Sequence, residues 1–499
     1  MAKATVKTPS FHQLLNQDKG EAYLKKILPQ TPTAKNHWFS RWYQETGEFG
    51  EIYPSQGLLK TPYDFIDSVG KVLLAEEELV KTLSKRHFLL TLFNHPDRLS
   101  ALKKVDKEKF IAPSRVDCPA IDYAQKQGRS LSVRDLGTTI LGTDQPRVSR
   151  RALLATGPFV KIGQFGRHPF VGSEMPDIFG SAAALATMAA CHCLTTVPRN
   201  GIFSDLRRQS DLVKAVFAWL SEEEILAGRS DKSWLLNRWR RNLMVALEPQ
   251  LPQAAKRAEM AYKNGVRAFR IYSPEPGTDA IKVVKSLRRL FGADVEIFVG
   301  QVATVNQAQS FQSVGADGLY VGIGGGGRCI TGVRSGSVID WPELVWQLRG
   351  KISLPIIVQG GASDHIAVTL LFGATGIGVS RIAGGGTIES PGGLLYLVDA
   401  KNQWFKPYGG EASARTKFLD KKMLPFGIPA FVEGETTRAL KSFMPYIVPT
   451  LAFNIFLLLE DTILSLVFRG VKTISQLQAL NPSPLRLLTA SGLYQQNTH

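Results

Sequence analysis

The sequence contains few cysteines. Only four occur in 499 residues, Cys118, Cys191, Cys193 and Cys329, and their spacing matches neither a disulfide framework nor a paired zinc motif. Cys191 and Cys193 flank His192, but a metal site would need two further ligands, so alternation along a buried strand explains the pattern better. So little cysteine suits a reducing compartment, and we expect a cytoplasmic protein.

Long hydrophobic runs are also missing. The first residues show no apolar segment typical of a secretory signal. The most apolar stretch, residues 446–468, is interrupted by Pro449, Asn454, Glu460 and Asp461. A pair of acidic side chains inside a membrane span is costly. We therefore expect a buried helix here, and no membrane partner.

Acidic residues are scarce relative to basic ones. The chain has 60 Lys and Arg against 43 Asp and Glu, which gives a net charge of +17. That charge suits nucleic acid, an anionic membrane surface or anionic small molecules such as nucleotides. The basic residues are scattered, as at Arg207 and Arg208, and form no long tract or RNA-binding signature. We expect no nucleic-acid partner.

The order of apolar patterns predicts an α/β protein. Residues 1–128 show helical spacing and are predicted to form a mostly helical N-terminal extension. Residues 129–485 alternate short apolar runs with helical patterns, and residues 486–499 are assigned as a tail. Eight strands are predicted, at residues 169–174, 192–197, 242–247, 268–273, 295–300, 318–323, 355–360 and 376–381. Eight such units favour a (β/α)8 TIM barrel over a doubly wound open sheet.

The sixth predicted strand runs into the most unusual loop of the chain. Four glycines, at residues 324–327, are followed by Cys329 between Arg328 and Ile330. Glycines permit close approach of the backbone to a ligand, and a thiol beside an arginine can be an activated nucleophile. A dinucleotide-binding fingerprint is disfavoured because no helix pattern opens at the last glycine. A buried, inert cysteine remains an alternative.

The ends of the seventh and eighth predicted strands suit a phosphate group. Gly360 and Gly361 end the seventh strand, and Ser380 and Arg381 end the eighth. Barrel enzymes commonly bind phosphate with backbone N–H groups at this place. Arg381 could add a charge-assisted contact.

The glycine loop resembles a known family. A strand followed by Gly-x-Gly-Gly-Gly-Gly-x-Cys-Ile-Thr is similar to the catalytic-cysteine loop of the IMP dehydrogenase / GMP reductase family, with Gly327 where that family usually has serine. The resemblance extends over about residues 130–480, without room for CBS modules between Ser210 and Arg241. Further similar segments are residues 131–136, 169–175, 300–304, 355–361, 389–392, 406–413 and 431–434.

The resemblance implies a function and a set of site residues. It implies an oxidoreductase of purine metabolism that converts IMP to XMP with NAD, a step of GMP biosynthesis, in a homotetramer. It implies two catalytic residues, Cys329 and Thr331. The substrate-binding residues implied are Gly326, Gly327, Gln359, Gly360, Gly361, Ser380, Arg381, Tyr408 and Glu433. Those implied for the cofactor are Tyr272, Ser273, Gly322 and Gly324, and those for a monovalent cation such as K+ are the carbonyls of Gly324, Gly326 and Cys329.

Several residues depart from the family's pattern. Tyr272 and Gln359 stand where the family usually has aspartates, and Gln301 stands where asparagine is usual. Lys421 and Lys422 occupy the counted position of an Arg-Tyr pair that activates water in the dehydrogenases. Two alternatives therefore remain open. One is a GMP-reductase-like enzyme, and the other is a nucleotide-binding barrel without catalysis.

Overall fold

The computed structural model describes most of the predicted barrel and parts of the segments around it. The residues described are 8–27, 76–139, 146–273, 277–323, 336, 341–361, 365–390, 397–398, 404–408, 413, 416–417, 423–424, 426, 428–429, 437–440 and 450–496.

Eight parallel strands form the central sheet. They are β1 (Phe170–Gly172), β2 (Thr195–Val197), β3 (Leu243–Leu247), β4 (Ala268–Tyr272), β5 (Glu296–Gly300), β6 (Gly318–Val321), β7 (Ile356–Val358) and β8 (Gly376–Val379). Each strand pairs with the next from β2 to β8, and β8 pairs with β1. A parallel bridge between Val171 and Leu194 joins β1 to the start of β2, so the sheet closes. The predicted (β/α)8 TIM barrel is confirmed.

Helices follow the strands as predicted. They are α1 (Ala182–Ala190), α2 (Leu206–Ser221), α3 (Leu251–Lys263), α4 (Asp279–Phe291), α5 (Val305–Ser313), α6 (Trp341–Leu348), α7 (Ile366–Phe372) and α8 (Leu451–Val467), with Lys232–Arg240 inserted before β3. The apolar helix α8 packs on α7 and α1 with Leu459 and Ile463 buried, which confirms the buried helix. No helix in the described ranges is long and apolar enough to cross a membrane.

The strands have continuous apolar runs because both of their faces are covered. Every residue of β3 and of β5 is buried. One face points into the barrel and the other packs under helices, so a polar-to-apolar alternation is absent. The N-terminal end is closed by a hairpin of Val160–Ile162 and Phe165–Arg167, in which Arg167 bonds the buried carboxylate of Glu296 at 2.8 and 2.7 Å.

The segment around Cys191 differs from the sequence interpretation. Residues 191–193 form a turn between α1 and β2, not part of a strand. His192 has a φ of 59°, which a strand does not accommodate. Strand alternation is therefore the wrong explanation for this pattern.

The N-terminal segment is mostly helical where it is described, and it packs on the barrel. Arg86 donates to Glu223 at 3.0 Å and to Thr187 at 2.8 Å, and its Nε lies 3.5 Å from Glu389. Trp239 donates to Asn94 at 3.1 Å. The helices before β1 are Phe11–Leu14, Gln17–Ile27, Glu76–Phe93, Pro96–Lys107, Pro119–Lys126 and Arg150–Thr156.

Short antiparallel strands complete the described chain. Leu136–Thr138 pairs with Leu485–Leu487. Between β8 and α8, Trp404–Tyr408 pairs with Leu397–Val398 and with Thr437–Leu440, and Met423–Leu424 pairs with Ile428–Pro429. The remaining α-helices of the described residues are Pro176–Phe179, Arg381–Gly384, Ile474–Gln478 and Ala490–Gln496.

Candidate functional site

The C-terminal end of the barrel, here called the mouth, gathers the described residues of the predicted site. Tyr272 ends β4, Gln359 follows β7 and Ser380 follows β8. All eight strands are parallel, so the loops after them open at this one end. The mouth is therefore the end of the barrel where a barrel enzyme has its active site.

A glycine turn lies at the mouth beside the end of β8. Gly360 and Gly361 have φ values of 86° and 78°, a region that favours glycine. Trp341 on α6 donates its indole N–H to the Gly360 carbonyl at 3.2 Å, which fixes the turn. β7 and β8 pair in register, Val358 with Ile377, so this turn and Ser380 lie at the same end of adjacent strands. Exposed Arg381 follows Ser380 directly.

A polar cluster spans the barrel just below the mouth. Its members, here called the cross-barrel cluster, are Glu174, Arg270, Gln301, Tyr320 and Gln359. Arg270 Nη1 lies 3.6 Å from a Glu174 carboxylate oxygen, and Arg270 Nη2 donates to Gln359 Oε1 at 3.0 Å. Gln301 Nε2 donates to the same oxygen at 2.8 Å. Each of these contacts joins residues from strands that do not pair with each other, so the side chains meet inside the barrel.

The cross-barrel cluster contains a buried pair of opposite charges. Glu174 and Arg270 are each only 2% exposed as side chains. The Arg270 guanidinium lies 4.1 Å from the centre of the Tyr320 ring, a cation–π distance. Burial raises the pKa of the Tyr320 hydroxyl above its usual value, so Tyr320 stays neutral. In the described part of the chain, neither carboxylate oxygen of Glu174 receives a hydrogen bond.

Two glycines let Gln359 reach this position. A Cβ on Gly378 of β8 would lie 2.6 Å from Gln359 Cγ. A Cβ on Gly322, whose φ is 118°, would lie 2.2 Å from the Gln359 carbonyl oxygen. Both approaches are too close for a side chain. Gly322, predicted for the cofactor site, thus lies against β7 at the mouth.

The other described cofactor residues also lie at the mouth. The Tyr272 ring is half-buried, with the guanidinium carbons of Arg199 and Arg270 at 5.6 and 5.4 Å from its centre. The backbone of Ser273 is engaged, since its N–H donates to Gly300 at 2.6 Å and its carbonyl accepts from Gln301 at 2.9 Å. Tyr272 therefore presents an aromatic ring at the end of β4, where the family described above usually has an aspartate.

Several predicted site residues lie outside the described residues. They are Gly324, Gly326, Gly327, Cys329, Thr331 and Glu433. Tyr408 is the last residue of strand Trp404–Tyr408, and its backbone lies opposite Thr437. The other cysteines, Cys118, Cys191 and Cys193, are buried, and burial raises the pKa of each thiol. A raised pKa disfavours the reactive thiolate.

Sequence reasoning missed Glu174 and Arg270. Glu174 is the last residue of the predicted first strand, and Arg270 interrupts an otherwise apolar β4. A charged residue inside a strand that is buried on both faces requires a partner. That requirement could have marked Arg270, but it could not have identified the partner.

Comparisons with known proteins agree with this architecture. Residues 166–499 match a family model described as the IMP dehydrogenase / GMP reductase domain. An inosine-5'-monophosphate dehydrogenase of Helicobacter pylori (strain ATCC 700392 / 26695) is 26% identical over 253 residues, which is 49% of this chain and 50% of the relative. Another, of Nitrosopumilus maritimus (strain SCM1), is 35% identical over 141 residues, 27% of this chain and 28% of the relative.

A GMP reductase is similar as well. That of Streptococcus equi subsp. equi (strain 4047) is 35% identical over 144 residues, 28% of this chain and 43% of the relative. These alignments span half or less of the curated relatives, so they do not decide between the two activities. The family model covers the barrel, from the hairpin that closes its N-terminal end through α8 and beyond. The chain belongs to the IMP dehydrogenase / GMP reductase family.

Proposed function

We propose that this protein oxidises a purine mononucleotide, IMP to XMP, with NAD as hydride acceptor and Cys329 as covalent nucleophile. The observation that supports this most directly is the end of β6. β6 pairs with β5 and β7 and ends at Val321 at the mouth, beside the Gly360–Gly361 turn. Cys329 follows Val321 closely in the sequence. A nucleotide held at the mouth would therefore lie near the point from which the chain continues to Cys329.

The proposed reaction forms and breaks bonds at one carbon. The Cys329 thiolate adds to C2 of the purine ring, and C2 then loses a hydride. Water adds to the resulting thioester-like carbon, and the C2–sulfur bond breaks to give XMP and the free thiolate. Two moderate steps replace one difficult displacement, which is the usual benefit of covalent catalysis. The nicotinamide of NAD supplies the hydride acceptor when it is bound.

Substrate binding is proposed to depend on the phosphate. The N–H groups of Gly360 and Gly361, the Ser380 hydroxyl and the Arg381 guanidinium lie at the ends of adjacent strands. Each charge-assisted hydrogen bond contributes roughly 1.5–3 kcal/mol. Anchoring the phosphate here would direct the purine across the mouth towards the end of β6.

The cofactor site is proposed around the end of β4. The half-buried Tyr272 ring suits stacking against a planar ring, since aromatic faces stabilise such contacts. The carbonyls of Gly324, Gly326 and Cys329 are proposed to hold a monovalent cation. We further propose a cytoplasmic homotetramer.

A GMP-reductase-like reaction is the second candidate. One sequence feature favours it: Lys421 and Lys422 stand where a dehydrogenase has its water-activating pair. Reductive deamination of GMP releases ammonia and requires no activated water. The same thiol and phosphate site would serve it.

One assay separates the candidates. The purified chain is incubated with IMP and NAD, or with GMP and NADPH, and the absorbance of the reduced nicotinamide is followed. A nucleotide-dependent rise with IMP and NAD supports the dehydrogenase. A fall with GMP and NADPH supports the reductase. Binding of either nucleotide by calorimetry, without any turnover, would leave a non-catalytic nucleotide-binding barrel.

A further inference from the structure

A cavity lies at the opposite end of the barrel from the mouth. Its volume is about 430 Å³, within the usual range for small-molecule sites. Arg241 precedes β3, Arg267 precedes β4 and Asp294 precedes β5, so the cavity opens at the N-terminal ends of three neighbouring strands. Arg240 and Phe217 also line the cavity.

The charges lining this cavity do not balance. Arg241 and Arg267 both turn to Asp294, at 3.6 and 3.0 Å. The Tyr262 hydroxyl donates to the same carboxylate at 2.7 Å. That hydrogen bond, with Arg267 and Arg241, holds the pKa of Asp294 below its usual value. One carboxylate thus faces three guanidinium groups, which leaves a surplus of two positive charges.

Arg240 is the guanidinium with the fewest anionic neighbours. Its Nη2 donates to the neutral Ser221 hydroxyl at 3.1 Å, and its guanidinium carbon lies 5.2 Å from the centre of the Phe217 ring. Its Nε is buried and has no acceptor within the described ranges. A buried donor without an acceptor costs about 1–3 kcal/mol. Among the described residues no carboxylate pairs with Arg240, so its positive charge is available to an anion in the cavity.

We propose that this cavity binds a phosphate-bearing anion of at least two negative charges. Planar guanidinium groups match phosphate oxygens in pairs, and two surplus positive charges match a dianion. The cavity exceeds the needs of a single phosphate group, and Phe217 contributes an apolar part of its lining. The site is separate from the mouth because it lies at the opposite end of the barrel. Enzymes of this fold have their active sites at the mouth end. The cavity is a binding site, independent of the reaction proposed above.

The test measures binding of inorganic pyrophosphate and of ADP by calorimetry on the full chain. It uses the Arg381→Ala background, which weakens the phosphate site at the mouth. Saturable binding is expected, and Arg240→Gln in the same background should weaken it about tenfold or more. Arg240→Lys, which keeps the charge, should weaken it less. Arg289→Gln, at an exposed position of α4, is the matched control and should change nothing.

The two probes identify the source of the phosphate. Tighter binding of ADP than of pyrophosphate assigns the site to a nucleotide, and the reverse assigns it to free phosphate species. Absence of saturable binding for both probes overturns the proposal. The proposal is also overturned if the Arg240→Gln and Arg289→Gln proteins bind the probes with equal affinity. It is overturned as well if chloride, at matched ionic strength, gives the same binding signal as the phosphate probes. None of these outcomes depends on turnover at the mouth.

Discussion

Glu174 and Arg270 form an ion pair across the inside of the barrel, with 3.6 Å between their nearest charged atoms. Arg270 then holds the amide oxygen of Gln359 at 3.0 Å. The residue after β7 is thus positioned from the opposite side of the barrel, by a charge that β4 supplies. This arrangement connects Gln359, just below the mouth, to Arg270 on β4 and through Arg270 to Glu174, which follows β1.

Removing one partner of this pair should be costly. Glu174→Ala leaves the Arg270 guanidinium buried without its carboxylate, and breaking a buried pair typically costs about 3–5 kcal/mol. We expect the free energy of unfolding in urea to fall by that amount. Glu259→Ala, at an exposed position of α3, is the control and should stay within about 0.5 kcal/mol. Equal stability of the two variants would show that the pair contributes nothing.

Arg381 should contribute to nucleotide affinity and little to stability. It is exposed at the mouth, next to Ser380. Loss of one charge-assisted contact in Arg381→Ala should weaken IMP binding about tenfold or more in calorimetry, without a change in unfolding temperature. Arg289→Ala serves as the surface control. Unchanged IMP affinity in Arg381→Ala would place the phosphate elsewhere.

Buried histidines should make the fold sensitive to acid. Arg98 donates to His168 Nε2 at 2.8 Å, and since arginine only donates, His168 must be neutral. Burial, and then the charge of Arg98, holds the pKa of His168 well below its usual value. The unfolded chain takes up this proton near pH 6.5 and the folded chain does not. Stability should therefore fall as the pH is lowered below 6.5, by up to about 1.4 kcal/mol per pH unit for each such histidine.

His168→Gln keeps a hydrogen-bond acceptor for Arg98 without the titration. Urea unfolding between pH 7 and pH 5 should show a shallower loss of stability in this variant than in the parent. His12→Gln, at an exposed position, is the control and should follow the parent. Burial lowers the pKa of His87 and His192 too, so part of the slope should remain. Identical slopes for parent and His168→Gln would contradict this account.

The barrel could be predicted from the sequence because its signals are local. β3 is a fully buried apolar run, and the run predicted at residues 242–247 contains it. Gly265, with a φ of 96°, marks the turn between α3 and β4. Such turns fix strand starts within a residue or two. The region at Cys191 was misassigned because a buried turn is as apolar as a strand.

The two polar clusters could not be predicted, because their contacts are not local. The contacts of the cross-barrel cluster join inward-facing side chains from strands that do not pair with each other. The basic cavity joins Arg241, Arg267 and Asp294, which come from three separate turns. Positions at strand ends, such as Gln359, could be predicted, but the bonds that Gln359 makes to Arg270 and Gln301 could not.

Labelling by a thiol reagent decides whether Cys329 is the nucleophile. The full chain is alkylated briefly, with and without IMP, and the labelled cysteines are mapped by mass spectrometry beside a Cys329→Ala variant. We expect fast, IMP-protected labelling of Cys329 alone, since the other three thiols are buried with raised pKa values. We also expect the Cys329→Ala variant to bind IMP without turning it over. Labelling confined to Cys118, Cys191 or Cys193, or full activity in Cys329→Ala, would contradict this role of Cys329.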